Sequence, residues 1–244
     1  MRKFFKIVKI TLLSVVAFII LFIVWMSYLY FTADMKQPKG GNIPDHQISD
    51  NGLYRQWGNS CLRQNNYGLW ELSVSGNPFE RGVAIGKLTD SLLYFQEKVF
   101  VDQIREMIPS DGYLKLLRFF IIIFNRNIGE HVTEEYRNEI YGISLSCTDE
   151  FDFIGTPYER QLNYHGAHDL GHAMQVYMLV GCSSFAAWDK YSADSSLIIG
   201  RNFDFFMGDN FAQNKLVSFY APSEGYTVVS VIWPGLLGCL LYSS

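Results

Sequence analysis

The 244-residue chain carries little cysteine and no pattern in what it has. Its four cysteines, Cys61, Cys147, Cys182 and Cys239, form no C-x-x-C pair, which excludes a zinc ribbon and gives no disulfide framework. A single Cys61–Cys147 bridge in an oxidising compartment stays open. Charge of one sign is also scarce. A formal net charge of −4, with no basic stripe beyond the N-terminus, gives no reason to expect a nucleic-acid partner. There is no internal repeat and no low-complexity segment. G-x-S-x-G is absent as well, so Ser183 and Ser184 read as strand residues rather than nucleophiles.

Apolar residues are plentiful: 49% of the chain is hydrophobic and 16% aromatic, which excludes a disordered protein and supplies a core for one or two domains. The clearest segment is N-terminal. Arg2, Lys3, Lys6 and Lys9 precede an uncharged run from Ile10 to Phe31, 22 residues long. As a helix it spans about 33 Å, enough for a bilayer core. A cleavable signal peptide has a shorter apolar region and a small-x-small cleavage site, whereas this run ends Leu29-Tyr30-Phe31-Thr32-Ala33. Residues 1–33 therefore read as a cytoplasmic stub and a single-pass anchor. Tyr28 and Tyr30 suit the interface, and the cations place the N-terminus in the cytoplasm with the remainder outside.

Residues 34–66, polar and rich in Gly, Asn, Pro and Gln, read as a linker. A strand follows at about Leu69 to Val74. Asn77-Pro78-Phe79-Glu80 then supplies an N-cap, a first-turn proline and a capping-box glutamate for a helix to about Met107. Ser110 caps another helix through Phe119–Phe124, a run too short to cross a membrane and read as a buried helix. A third helix covers Thr133 to Leu145. Thr156-Pro157-Tyr158-Glu159 starts a fourth, reaching about Leu179. After Gly181 the pattern turns to strands: Cys182–Trp188, Ser196–Asn202, Leu216–Tyr220, Tyr226–Trp233 and Leu236–Tyr242. Helices first and antiparallel strands second predict an α+β fold, with a mainly helical region over 67–181 and a strand-rich region over 182–244.

The chemistry-bearing residues lie at that boundary. Gly181-Cys182-Ser183-Ser184-Phe185 is followed by Arg201-Asn202-Phe203-Asp204. A free thiol of pKa about 8.5 needs a nearby cation to ionise near neutral pH, and Arg201 is the candidate. Asp204 is placed to hold a second positive group, such as the α-amine that Cys182 would carry if the chain were cut before it. An amine of pKa about 8 beside its own thiol is a ready general base.

These residues resemble the start of the mature chain in N-terminal-nucleophile amide hydrolases of the acid-ceramidase-like, choloylglycine-hydrolase-like and penicillin-acyltransferase-like kinds. Asn77-Pro78-Phe79-Glu80-Arg81-Gly82 with Gly86-Lys87 resembles the opening helix of the acyltransferase branch. Trp233-Pro234-Gly235-Leu236-Leu237-Gly238 resembles its later strand. The resemblance covers about residues 70 to 240. It implies an αββα sandwich, autocatalytic cleavage between Gly181 and Cys182, attack by Cys182 on linear amides with Arg201 and Asp204 in support, small acylated amides as substrates, and no cofactor. It also implies a truncated chain, because an oxyanion-forming asparagine is expected where the sequence stops at Tyr242-Ser243-Ser244.

A rival signal is His165-Gly-Ala-His168-Asp169-Leu-Gly-His172. On a helix these positions share a face, so three imidazoles and a carboxylate can meet a divalent metal. The spacing is not H-E-x-x-H, and the alternative is a polar face packed beside Cys182. A membrane-anchored metal-binding domain using His165, His168 and His172, and an inactive membrane-anchored remnant, stand as the other readings.

Overall fold

The computed structural model describes residues 1–173, 180–205 and 207–237; for residues 2, 167–173, 180–182 and 203–205 it describes the backbone alone. The chain begins with α1 (Arg2–Phe31), then four strands: β1 (Ser49–Asp50), β2 (Tyr54–Trp57), β3 (Ser60–Gln64) and β4 (Trp70–Gly76). Helices follow: α2 (Pro78–Leu88), α3 (Asp90–Met107), α4 (Asp111–Phe124), α5 (Ile128–His131), α6 (Glu134–Ser144) and, after a 3-10 turn at Asp149–Ile154, α7 (Pro157–Ala173). The last strands are β5 (Val180–Asp189), β6 (Ser195–Phe205), β7 (Leu216–Pro222) and β8 (Val228–Ile232). Residues 1–36 and 111–133 form one unit, and residues 37–110 with 134–244 form the other.

In the first unit, α1 has no glycine or proline to break it, and its side chains from Lys3 to Trp25 are exposed all round. That is unlike a buried core helix, and it is the character shared by a membrane anchor and a signal sequence. It is long and apolar enough to cross a membrane. It ends where the Thr32 hydroxyl donates to the Tyr28 carbonyl at 2.7 Å.

The second unit is built on a six-stranded sheet in the order β1-β2-β3-β4-β7-β8. Its pairs are antiparallel except β4 with β7, which run parallel from Trp70 opposite Leu216 to Gly76 opposite Pro222. Leu62, Leu72, Val74 and Leu216 from the sheet meet Val83, Ile85 and Leu88 of α2, Leu93 of α3 and Ile143 of α6 in one core. Helices α2 and α6 cross with their backbones in contact. A Cβ on Gly142 would stand 2.6 Å from the Phe79 carbonyl oxygen, so only glycine permits this approach.

Two helix starts share one design. Asn77 and Glu80 form a reciprocal capping box at α2. At α7 the Thr156 amide donates to Glu159 at 2.9 Å, and the Glu159 amide donates back to the Thr156 hydroxyl at 3.4 Å. Each start places a proline at the first helical position and an arginine next after the glutamate. Both arginines are buried: Arg81 holds Glu139 at 2.7 Å, and Arg160 holds Glu97 at 2.7 Å.

Four expectations need correction. The 34–66 stretch is not only linker, for it supplies β1, β2 and β3. Strands therefore precede as well as follow the helices, and the fold is a mixed α and β one with a parallel pair. The helix expected over 77–107 is two helices, broken at Thr89, whose hydroxyl donates to the Ile85 carbonyl at 2.7 Å. The 119–124 run is buried only at Ile122 and Ile123, with Phe120, Ile121 and Phe124 exposed. The end of the helix expected to reach Leu179 and most of the strand expected over 236–242 lie outside the described residues.

Candidate functional site

Strands β5 and β6 form a two-stranded antiparallel sheet of their own. The turn between them is set by residues that tolerate left-handed backbone, Asp189 at φ 53° and Ser195 at φ 63°. Its return is fixed by Asp194, whose carboxylate accepts from the Ser196 hydroxyl at 2.6 Å and amide at 3.1 Å. Along the ladder Cys182 stands opposite Phe203, Gly181 opposite Asp204 and Ser184 opposite Arg201. Given the two-residue period of a strand, positions 182, 184, 201 and 203 share one parity, while 181 and 204 belong to the other. The hairpin thus brings the three predicted positions within a few residues of each other in register. The side chains of Cys182 and Asp204 lie outside the described residues; that of Arg201 is exposed. Gly200, just before Arg201, has a packing reason: the Phe185 ring lies where its Cβ would be.

Helix α7 leads toward β5 and carries the histidines. The His165 ring is clamped at both nitrogens. Nδ1 is 2.6 Å from the Gln161 carbonyl, and Nε2 accepts the Leu237 amide at 2.7 Å. The carbonyl needs a donor and the amide an acceptor, so the ring is neutral with its proton on Nδ1. Burial pushes its pKa down to about 4. No lone pair remains on His165 for a metal. The side chains of His168, Asp169 and His172 lie outside the described residues, and among the described residues no group of three His, Cys, Asp or Glu could hold a metal ion.

Beside His165 runs a buried network that periodicity does not reveal. The Arg160 guanidinium, 1% exposed, donates to Glu97 Oε1 at 2.7 Å, to Asp152 at 2.7 Å, and to the carbonyls of Gly155 and Thr148 at 2.7 and 2.6 Å. The Tyr164 hydroxyl donates to the same Glu97 oxygen at 3.1 Å. Burial, reinforced by the Glu97 charge, holds the Tyr164 phenol well above its usual range. The same two causes push the Cys147 thiol up to about 12. Cys147 accepts from the Gln161 amide at 3.3 Å and is an inert, protonated thiol. Cys61 and Cys147 are both free, so the bridge that spacing left open is not formed. The signal that could have found part of this network is the Glu-Arg pair at each helix start, where a cap glutamate is followed by an arginine pointing inward.

Two cavities flank these networks. One of about 40 Å³ is lined by Gln96, Glu97, Phe100, Gln161, Tyr164 and Gly235 among others. Glu97 Oε2 and Gln96 Oε1 are buried there without a hydrogen-bond partner, so the cavity selects a donor. The other, of about 280 Å³, lies between α6 and one face of the β7–β8 pair. Its lining includes Arg81, Glu135, Glu139 and Glu224, together with Tyr136, Tyr220 and Tyr226. One guanidinium against three carboxylates suits a ligand rich in donors rather than an anion. Burial raises the Glu139 carboxyl against the opposing pull of Arg81.

No family model matches the chain. It is similar to an uncharacterized protein of Archaeoglobus fulgidus, 27% identical over 183 residues, an alignment taking in 70% of this chain and 30% of that protein. The chain thus spans about a third of the length of this relative.

Proposed function

We propose that the chain is a membrane-anchored thiol amidohydrolase or acyltransferase of the N-terminal-nucleophile type, acting on small linear amides. The observation that carries this reading is the register of the β5–β6 hairpin. Asp204 stands opposite Gly181, the residue whose carbonyl carbon would be lost from the Cys182 amine on cleavage, and Arg201 stands opposite Ser184, two residues from the thiol along its strand.

In maturation the Cys182 sulfur attacks the Gly181 carbonyl, the peptide C–N bond breaks, and the freed nitrogen takes a proton. Water then hydrolyses the thioester, leaving Cys182 with an α-amine. In turnover the same sulfur attacks the substrate amide carbon. The α-amine takes the thiol proton and passes it to the departing amine, and water or a second amine releases the acyl group. Arg201 favours the thiolate or the polarised carbonyl, and Asp204 orients the α-amine. The helix α1 would hold the chain in the membrane with its cationic end in the cytoplasm.

The test is intact mass of the purified chain. The expected result is two fragments meeting at Gly181–Cys182, with the cut abolished in Cys182→Ala. Cleavage of Cys182→Ala at the same bond would make an external protease responsible and remove the basis of the reading. A second measurement is iodoacetamide labelling at neutral pH: Cys182 should react fast, and Arg201→Ala should slow it. A folded sample that labels at other cysteines with Cys182 silent would overturn the site.

A further inference from the structure

We infer that α4 is a membrane-interface helix: it lies against the outer surface of the lipid bilayer with its exposed apolar stripe in the headgroup and acyl boundary. This rests on the reading of α1 as a membrane span.

The stripe follows from helical geometry. At 100° per residue, Tyr113, Leu116, Phe120 and Phe124 fall on one side of α4 within about 80° of arc. They are 50%, 48%, 47% and 68% exposed, and Ile121 at their margin is 40% exposed. The charged residues Asp111, Lys115 and Arg118 lie on the opposite side of the same helix. Leu114 and Ile122, on that far side, and Ile123, at the edge of the stripe beside Leu116, are buried, so α4 is packed at these three positions while the row itself stays exposed. Four large apolar side chains in a continuous exposed row call for a cover.

What covers them is indicated by where α4 is fastened. The Phe119 ring stacks on Tyr30 at 5.2 Å with an interplanar angle of 18°. The Asp34 amide donates to the Arg126 carbonyl at 2.6 Å, tying the chain just after α1 to the chain just after α4. Both contacts sit at the C-terminal end of α1, the end marked by Tyr28, Tyr30 and Phe31. If α1 crosses the bilayer, that end is at the interface, and α4 is held at the same depth. With 14 residues, α4 is about 21 Å long, too short to span but sufficient to lie in the plane of the surface. A bilayer is therefore the occupant continuous with the apolar surface of α1.

The experiment is lipid photocrosslinking with the full chain in nanodiscs of phosphatidylcholine and phosphatidylglycerol. The photoreactive residue p-benzoylphenylalanine replaces, one at a time, Phe120, Phe124, Lys115 and, within α1, Leu21. All four positions are exposed, and the replacement keeps an aromatic ring at Phe120, whose edge contact with Phe119 at 5.7 Å is the ring contact at stake. The expected result is lipid adducts at positions 120 and 124 within about twofold of the yield at position 21, and at least fivefold less at position 115. If position 21 captures lipid while 120 and 124 do no better than 115, the interfacial assignment is wrong and the anchor stands. Adducts between copies of the chain at 120 or 124 would also overturn it, in favour of a protein cover. Failure at position 21 would refute the span, and the inference with it.

Discussion

The six-stranded sheet and the β5–β6 hairpin use similar residues under opposite conditions. In the sheet, Leu62, Leu72 and Leu216 are each 1% exposed, covered by α2, α3 and α6. In the hairpin, Phe185, Trp188 and Leu197 are about 60% exposed, at 62%, 59% and 63%. Strand-forming composition alone did not bury them; helices arriving from elsewhere in the chain make the difference. A two-stranded ribbon with bare apolar side chains is marginal in water, while a sheet sealed by helices has most of its stability from the seal. The proposed nucleophile and its partners are thus on the less supported element, whereas the buried ion pairs join helices, Arg81 of α2 to Glu139 of α6 and Arg160 of α7 to Glu97 of α3. The free energy of local opening should follow the same gradient, low at the hairpin and high in the sheet.

Breaking the supported side gives the largest effect. Glu97→Ala leaves the Arg160 guanidinium buried without its closest carboxylate, and the expected loss is about 3 kcal/mol, at the lower end for a broken buried pair because Asp152 and two carbonyls remain. Denaturant unfolding of the detergent-solubilised chain measures it. A loss under about 1 kcal/mol would show that this network is solvated and that the contrast with the hairpin is overstated.

Next in size is a pH effect from His165. Its folded pKa of about 4 lies below the ordinary 6.5, so the unfolded chain binds the proton first as pH falls. Stability is fully present above about pH 6.5, declines as pH drops below it, and levels off below about pH 4. The decline amounts to about 3 kcal/mol at most, from a shift of that size at 1.36 kcal/mol per unit. Unfolding curves at pH 7.5 and 4.5 should show it, and His165→Gln should flatten this component of the slope while lowering stability at both. An unchanged slope in the variant would mean that His165 is not the titrating group.

The smallest effect belongs to the hairpin. Trp188→Ser and Leu197→Ser should each change global stability by no more than about 0.5 kcal/mol, as substitutions at exposed positions do. A loss above about 2 kcal/mol in either would mean that another layer covers the hairpin in the folded protein and that it is as well supported as the sheet.

Much of the chain was legible where the cause is local. The caps at Asn77 and Thr156 state their helices because the capping atoms are three residues apart. α1 declares itself by an unbroken apolar run, and the β5 and β6 strands by their bounding turns. Gly58-Asn59 is a local signal of the same kind: it joins Trp57 to Ser60 across a two-residue turn, with Gly58 at φ +57°. That is a hairpin start inside a stretch whose polarity suggested a linker.

By itself the sequence determined the helix starts at Asn77 and Thr156, the apolar N-terminal helix and the hairpin that carries Cys182, because each depends on hydrogen bonds and side-chain periodicity within a few residues. Tertiary structure decided what was joined to them from afar. The parallel pairing of β4 with β7 crosses the proposed cleavage point, so a cut chain would keep both parts in one sheet. Arg81 found Glu139 at a separation of 58 residues, and Arg160 found Glu97 at 63. His165, spaced like a metal ligand on its helix, was instead committed by the amide of Leu237, 72 residues away. A buried polar group takes whichever partner the fold brings to it, since leaving it unpaired costs more than any local preference supplies.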